Sequence, residues 1–199
     1  MIFMSKFCPD IPNVDRLRPD LAAAARSVQA TLKEGITLRA IQPGDEEAII
    51  HVLNNEKVKP WAAEEARNLV KASLDPTATG GGWLAFANSA PAGIITTKDG
   101  FNGSVITHQD FGGRGIGKAL VGTREAHQRA QGQHIAEAHI LSDNEKSIGL
   151  HEALGYIHQS AKDKLLPDGT TLQVYTKPLL PFTGPAPVMK GAAPAAPRR

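Results

Sequence analysis

Cysteine is nearly missing from this chain: Cys8 stands alone among 199 residues. One thiol cannot close an internal disulfide, and without a cluster of Cys and His no zinc site is expected. A reducing, cytoplasmic setting is therefore predicted. Charge of one sign is also lacking, since 22 Lys and Arg face 20 Asp and Glu for a net charge of +2. Composition thus gives no reason to expect nucleic acid or a membrane surface as partner. No run approaches a membrane span, and the apolar start Met1 to Met4 gives way to Lys6 and Asp10 before a signal segment forms. With 41% hydrophobic residues the chain has enough apolar side chains for one globular core.

Glycine, by contrast, is concentrated. Gly112, Gly113, Gly115 and Gly117 crowd into six positions. Ser104 to Thr107 before them is an apolar, β-branched run that predicts a strand. After them Ile116, Ala119, Leu120 and Thr123 recur at helical spacing, with Arg124, Glu125, Gln128 and Arg129 as the polar face of a helix reaching Gly132. A strand, a glycine turn and a helix start in that order present free backbone N–H groups at the positive end of a helix dipole, which suits phosphate. Arg114 and Lys118 add charge. Two other readings remain open: a tight connection with no ligand, and a nucleotide P-loop. The segment Gly112 to Lys118 has G-x-x-x-x-G-K spacing, but Ala119 stands where a hydroxyl should hold Mg²⁺.

The segment Ile106 to Leu120 resembles the acetyl-CoA signature of the GCN5-related N-acetyltransferases (GNAT), written [RQ]-x-x-G-x-[GA]. Downstream, Asn144 to Tyr156 is similar to the N-x-x-S-I-x-L-H-E-x-L-G-[FY] block of the phosphinothricin acetyltransferase-like branch. The resemblance implies an α/β fold (α+β) with a mixed, mostly antiparallel central sheet flanked by helices. It implies an acetyl-CoA-dependent N-acetyltransferase, without metal, in which a primary amine of an amino-acid-like small molecule attacks the thioester directly. Backbone amides of Gly113, Arg114, Gly115, Ile116, Gly117 and Lys118 would hold the pyrophosphate. Ile106, Thr107 and His108 would pair with the pantetheine arm, which Asn144 and Ser147 would contact from the other side. A small-molecule acceptor is the implied partner, and the resemblance allows a homodimer.

His151 occupies the acid position implied by the resemblance, where an imidazole has a usable acid fraction at neutral pH; the alternative is a histidine that packs on Leu150 and Leu154 and bonds a carbonyl. Gly112 replaces the usual Arg or Gln, with Arg114 as the compensating side chain. Asn102 stands where the branch has a basic Glu, leaving His108, Asp99 or water to take the amine proton. Two rival functions follow: a degenerate domain that binds acetyl-CoA or a protein partner without turnover, and a protein-lysine or N-terminal acetyltransferase.

Three regions are predicted. Residues 1–35 form a helical extension, with Asp20 placed to cap a helix through Lys33 that Gly35 ends. Residues 36–179 form the acetyltransferase domain. Residues 180–199, rich in Pro, Ala and Gly, form a disordered tail. Within the domain the order is β, α, α, β, β, β, α, β, α, β, β. The strand Gln133 to Leu141 is expected to be buried, and Ser142 or Asp143 to cap the helix that carries His151. The loop at Val58, Pro60 and Trp61 is where acceptor contacts are expected, although Trp61 also suits a loop anchor.

Overall fold

The computed structural model describes residues 18–29, 31–55, 62–75, 77–78, 80–98 and 101–179, with residues 98 and 101–103 described through their backbone. The readings placed on Cys8, on Val58, Pro60 and Trp61, on Asp99, and on the tail 180–199 lie outside these residues, as does the side chain of Asn102.

The first strand follows from period-2 patterning, with Ile36, Leu38 and Ala40 buried. β1 (Ile36–Ala40), β2 (Gly81–Ala87), β3 (Ala90–Lys98) and β4 (Phe101–Thr107) form one antiparallel sheet in that order. The β2–β3 turn is Asn88 and Ser89, both with positive φ (49° and 70°), as a two-residue hairpin of this twist demands. Alternate side chains of β2 and β3 enter different cores. Leu84 and Ile94 join α2 (Glu46–Leu53) and α3 (Ala62–Leu74) through Ile49, Val52, Ala66 and Leu69. Trp83, Ala85 and Ile95 pack on the opposite face with α1 (Pro19–Gln29) and α4 (Ile116–Ala130) through Leu21, Ile116 and Leu120. The Trp83 indole N–H donates to the Leu21 carbonyl at 2.8 Å.

A second sheet holds β5 (Ile135–Leu141), β8 (Thr171–Pro178) and β6 (Ile157–His158), with β7 (Lys164–Leu165) also on β8. α5 (Glu145–Ala153) follows β5. β7 is an addition to the predicted order; two residues are too few to show a period. No ladder joins β4 to β5, so the sheets part at that seam. Against β3, the step from Ile95↔Val105 to Thr97↔Asn102 spans two residues on β3 and three on β4. The extra residue is a β-bulge in β4, which bends the strand beside the seam.

Four expectations are corrected. α1 stops at Gln29 rather than Lys33, because the Thr31 hydroxyl and amide both turn back on the Val28 carbonyl, at 2.7 and 2.9 Å. Asp20 lies inside that helix and holds the Arg18 guanidinium at 2.9 and 3.0 Å instead of capping. β5 is half-buried, with Ala136, Ala138 and Ile140 inward and Ile135 61% exposed. The polar face assigned to α4 is buried: Arg124, Glu125 and Gln128 are covered, with Arg124 turned to His151 of α5 and Glu125 to Lys177 of β8.

Candidate active site

β4 ends at Thr107, and a 3₁₀ turn at Gln109–Phe111 leads into the glycines. Gly113 and Gly115 take φ of +73° and +85°, and a Cβ built on either would meet nothing within 4 Å. Conformation, not crowding, selects glycine here, and the space above the turn is open. Gly115 caps α4 without a side-chain hydrogen bond, so the first-turn amides of Ile116, Gly117 and Lys118 keep their donors for a ligand. The Ile116 side chain is core, leaving only its backbone to the site. Gly117 has a different reason: an added Cβ would lie 3.2 Å from Leu150 Cδ2 and 3.4 Å from Thr107 Oγ1, so its smallness lets α4 meet α5 and β4.

The seam between β4 and β5 opens into a slot of about 280 Å³. Ser104, Val105 and Ile106 form one wall, Ala138 to Leu141 the other, and Arg124, Asn144, Ser147 and His151 close it from the helices. Of the first sequence block Ile106 lines this slot, facing Asn144, Ser147 and His151 of the second, and the glycine turn reaches α5 through Gly117 against Leu150. Asn144, rather than Ser142 or Asp143, is the N-cap of α5: its side-chain oxygen accepts the Ser147 amide at 3.1 Å. The Ser147 carbonyl in turn accepts from Nδ1 of His151 at 2.8 Å. Asn144, Ser147 and His151 lie at helical spacings of three and four, so one face of α5 addresses the slot.

That bond fixes the imidazole chemistry. With its proton on Nδ1, neutral His151 carries its lone pair on Nε2, which is buried and has no hydrogen-bond partner among the described residues. Burial pushes the His151 pKa down; the Ser147 carbonyl opposes this, and nearby Arg124 adds to the lowering. Tyr156, 3% exposed, meets His151 edge-on at 5.0 Å, and burial pushes its phenol up to about 12. The resting site therefore offers a proton acceptor at Nε2 and a neutral phenol behind it.

His108 does not share this slot. It stacks on His51 of α2 at 4.7 Å, and its Nδ1 accepts the Asp110 amide at 3.4 Å. Asn55 ties the same corner, donating to the Thr107 carbonyl at 3.2 Å and accepting from the Gln109 amide at 2.8 Å. Sequence reading missed His51, Asn55, Tyr156 and Arg124 as site residues. Two of them had a signal: Tyr156 closes the second sequence block, and Arg124 is a charge eight residues past Ile116 on the face that Ile116 and Leu120 bury. Among the described residues, no helix is long and apolar enough to cross a membrane, and no group of three His, Cys, Asp or Glu stands ready for a metal.

Comparison with known proteins agrees with this geometry. Residues 44–156 match the Acetyltransferase (GNAT) family. Over 62 residues the chain is 42% identical to the L-methionine sulfoximine/L-methionine sulfone acetyltransferase of Pseudomonas paraeruginosa, covering 29% of this chain and 36% of the relative. Over 54 residues it is 37% identical to the L-amino acid N-acyltransferase MnaT of Escherichia coli, covering 27% and 31%. The chain thus spans about a third of the length of the curated relatives it matches. Among solved structures, yncA of Salmonella typhimurium with its cofactor acetyl-CoA superposes with a TM-score of 0.59 at 21% identity, over 76% of this chain and 98% of that one. The ribosomal-protein-S18-alanine N-acetyltransferase of Escherichia coli gives 0.58 at 16% identity, over 75% and 96%. A family match that runs from the turn before α2 to Tyr156, across more than half of the chain, leads to one conclusion: the chain belongs to the acetyltransferase (GNAT) family.

Proposed function

We propose that this protein transfers an acetyl group from acetyl-CoA to the primary amine of a small, amino-acid-like molecule. The observation that carries the reading is the unpaired seam between β4 and β5, which holds Ile106 of the first sequence block on one wall and is closed by Asn144, Ser147 and His151 of the second. The names of the curated relatives, an amino-acid N-acyltransferase and a methionine sulfoximine acetyltransferase, favour an amino-acid-like acceptor over a protein one. We take residues 36–179 as the transferase unit, working in the cytoplasm, with residues 1–35 as its helical extension.

In this reading the amides from Gly113 to Lys118 hold the pyrophosphate, with Arg114 and Lys118 adding charge. Ile106 and Thr107 line the pantetheine arm, and Asn144 and Ser147 face it from α5. When bound, acetyl-CoA supplies an activated acyl carbon. Backbone N–H groups at the β4 bulge take the negative charge that develops on the thioester oxygen. His151 collects at Nε2 the proton shed by the attacking nitrogen and is then charged to return it. His108, stacked on His51 at the far corner of β4, serves amine deprotonation at the acceptor side through Nδ1, giving up the long hydrogen bond from the Asp110 amide as it does so.

Calorimetry with acetyl-CoA followed by thiol release over a panel of amino acids and their analogues tests this. Acetyl-CoA binding with turnover on an amino-acid-like amine is expected. Binding without release on any amine would assign a non-catalytic binder, and binding of ATP with Mg²⁺ in its place would sink the reading. His151→Ala should lower kcat by about 10²-fold or more while leaving the KM for acetyl-CoA nearly unchanged. An unchanged kcat removes His151 from proton transfer.

A further inference from the structure

Charge is buried against one end of the slot. Arg124, on the third turn of α4, is 1% exposed and lines the cavity with His151. Taking a guanidinium out of water costs several kcal/mol, and packing alone does not call for it: Leu120, one turn earlier on the same face, fills the equivalent space with hydrocarbon. Beside it Glu125, 3% exposed, holds Arg129 at 3.0 Å and Lys177 at 2.9 Å. Arg129 and Lys177 are thus two cations on one carboxylate. At His151 the effect of Arg124 exceeds the opposing effect of Glu125. The other ionisable groups at this end are His151 from α5, Tyr156 beyond it and His139 from β5, whose Nε2 is held by Glu137 at 2.6 Å; β4 contributes Ser104, Val105 and Ile106, which carry no charge. This end of the slot is therefore electropositive.

We propose that Arg124 is a catalytic residue that holds the coenzyme sulfur as a thiolate. The inference rests on the acetyl-CoA reading above. As the nitrogen–carbon bond forms, the carbon–sulfur bond breaks and its electron pair stays on sulfur, where the guanidinium meets it. The proton shed by nitrogen goes to Nε2 of His151 and from there to the sulfur or to water as the product leaves. Arg124 thereby relieves His151 of having to be a strong acid, a role its tautomer and burial oppose.

The test uses the full chain and coenzyme A in its thiol form. Thiolate absorbance and the rate of alkylation by iodoacetamide are followed against pH, free and bound. The bound thiol should ionise at least about one pH unit below the free coenzyme, a tenfold gain in thiolate at a given pH. Arg124→Met should return the titration by about that unit, Arg124→Lys should keep most of the shift, and acetyl-CoA, whose sulfur is uncharged, should bind Arg124→Met much as it binds the native protein. A structural role alone would weaken both ligands together. A bound thiol that titrates at or above the free value in the native protein overturns the proposal, as does an unshifted Arg124→Met. If Arg124→Met does not fold, the native titration and Arg124→Lys decide. Failure of coenzyme A to bind at all defeats the acetyl-CoA reading and this inference with it; binding without the shift defeats this inference alone.

Discussion

The two sheets are held by different means. In the first sheet β2 is dry on both faces: it is buried along almost its whole length, with Trp83, Leu84 and Ala85 enclosed by helices on either side. In β5–β8 one face meets water, and Ile135 and Ile157 are exposed at 61% and 62%. Polar contacts take over in that sheet, such as the hydrogen bond of His158 with Asp163 at 2.9 Å and the ion pair of Lys177 with Glu125 at 2.9 Å. The first sheet is a frame and the second a wall set against it, so a slot opens where they meet. A strand buried on both faces cannot be displaced without losing two cores, whereas β5 can stand away from β4 because β8 satisfies its ladder.

The sharpest break of this comparison is a pair of truncations. Trp83→Ala removes an enclosed indole and its bond to Leu21, and should cost about 3–5 kcal/mol in denaturant unfolding. Ile135→Ser, on the wet face of β5, should change stability by less than about 0.5 kcal/mol. Similar losses at the two sites would erase the distinction between frame and wall.

A smaller effect is expected where the frame meets α4. A Cβ at Gly93 would lie 3.0 Å from the Ile106 carbonyl oxygen, from Ile116 Cγ2 and from Leu120 Cδ1. The backbone oxygen cannot swing away, so Gly93→Ala should push α4 off the sheet at a cost of about 1–3 kcal/mol. Because α4 carries the glycine turn, acetyl-CoA affinity should fall with it. A stable variant with native affinity would show that α4 is not seated by this contact.

What could be read in advance was local. The turn at Gly113 and Gly115 announces itself because positive φ restricts the residue at those positions, and the spacing from Asn144 to His151 because it repeats on one helix face. Asn144 as cap was misjudged in favour of Ser142 and Asp143, all three being good capping residues one step apart. The burial of Arg124 and Glu125 was out of reach, since it depends on elements that come later in the chain: His151 of α5 shares the slot with Arg124, and Lys177 of β8 holds Glu125 at 2.9 Å. The slot itself leaves no pattern, being a ladder that β4 and β5 do not form. The stacking of His51 on His108 likewise joins α2 to the end of β4 with no mark in either segment.

The least disruptive test compares one histidine of the frame with one of the seam. His127 on α4 is buried against Trp83 at 5.4 Å, with Asp20 at 3.7 Å. Burial pushes its pKa below the ordinary value; Asp20 opposes this and Arg18 reinforces it. His151 is lowered by burial as well. Unfolded histidines take up a proton near pH 6.5 while these two resist it, so the unfolded chain binds more protons below that pH. Their contribution to stability is complete above about pH 6.5 and is lost as pH falls toward the lowered native values, at up to about 1.4 kcal/mol per pH unit for each. The Asp20 carboxyl, lowered against its own burial by the hydrogen bond and charge of Arg18, contributes above its unfolded pKa of 3.8 and is lost only at lower pH. A melting series from pH 7 to about 5.5 therefore isolates the histidines, and Tm should drop by a few degrees. His127→Gln should flatten part of that slope while leaving acetyl-CoA affinity as it was, and His151→Gln should flatten another part while slowing turnover. If either substitution leaves the slope untouched, that imidazole is protonated in the native protein and its surroundings are wetter than the frame or the seam requires.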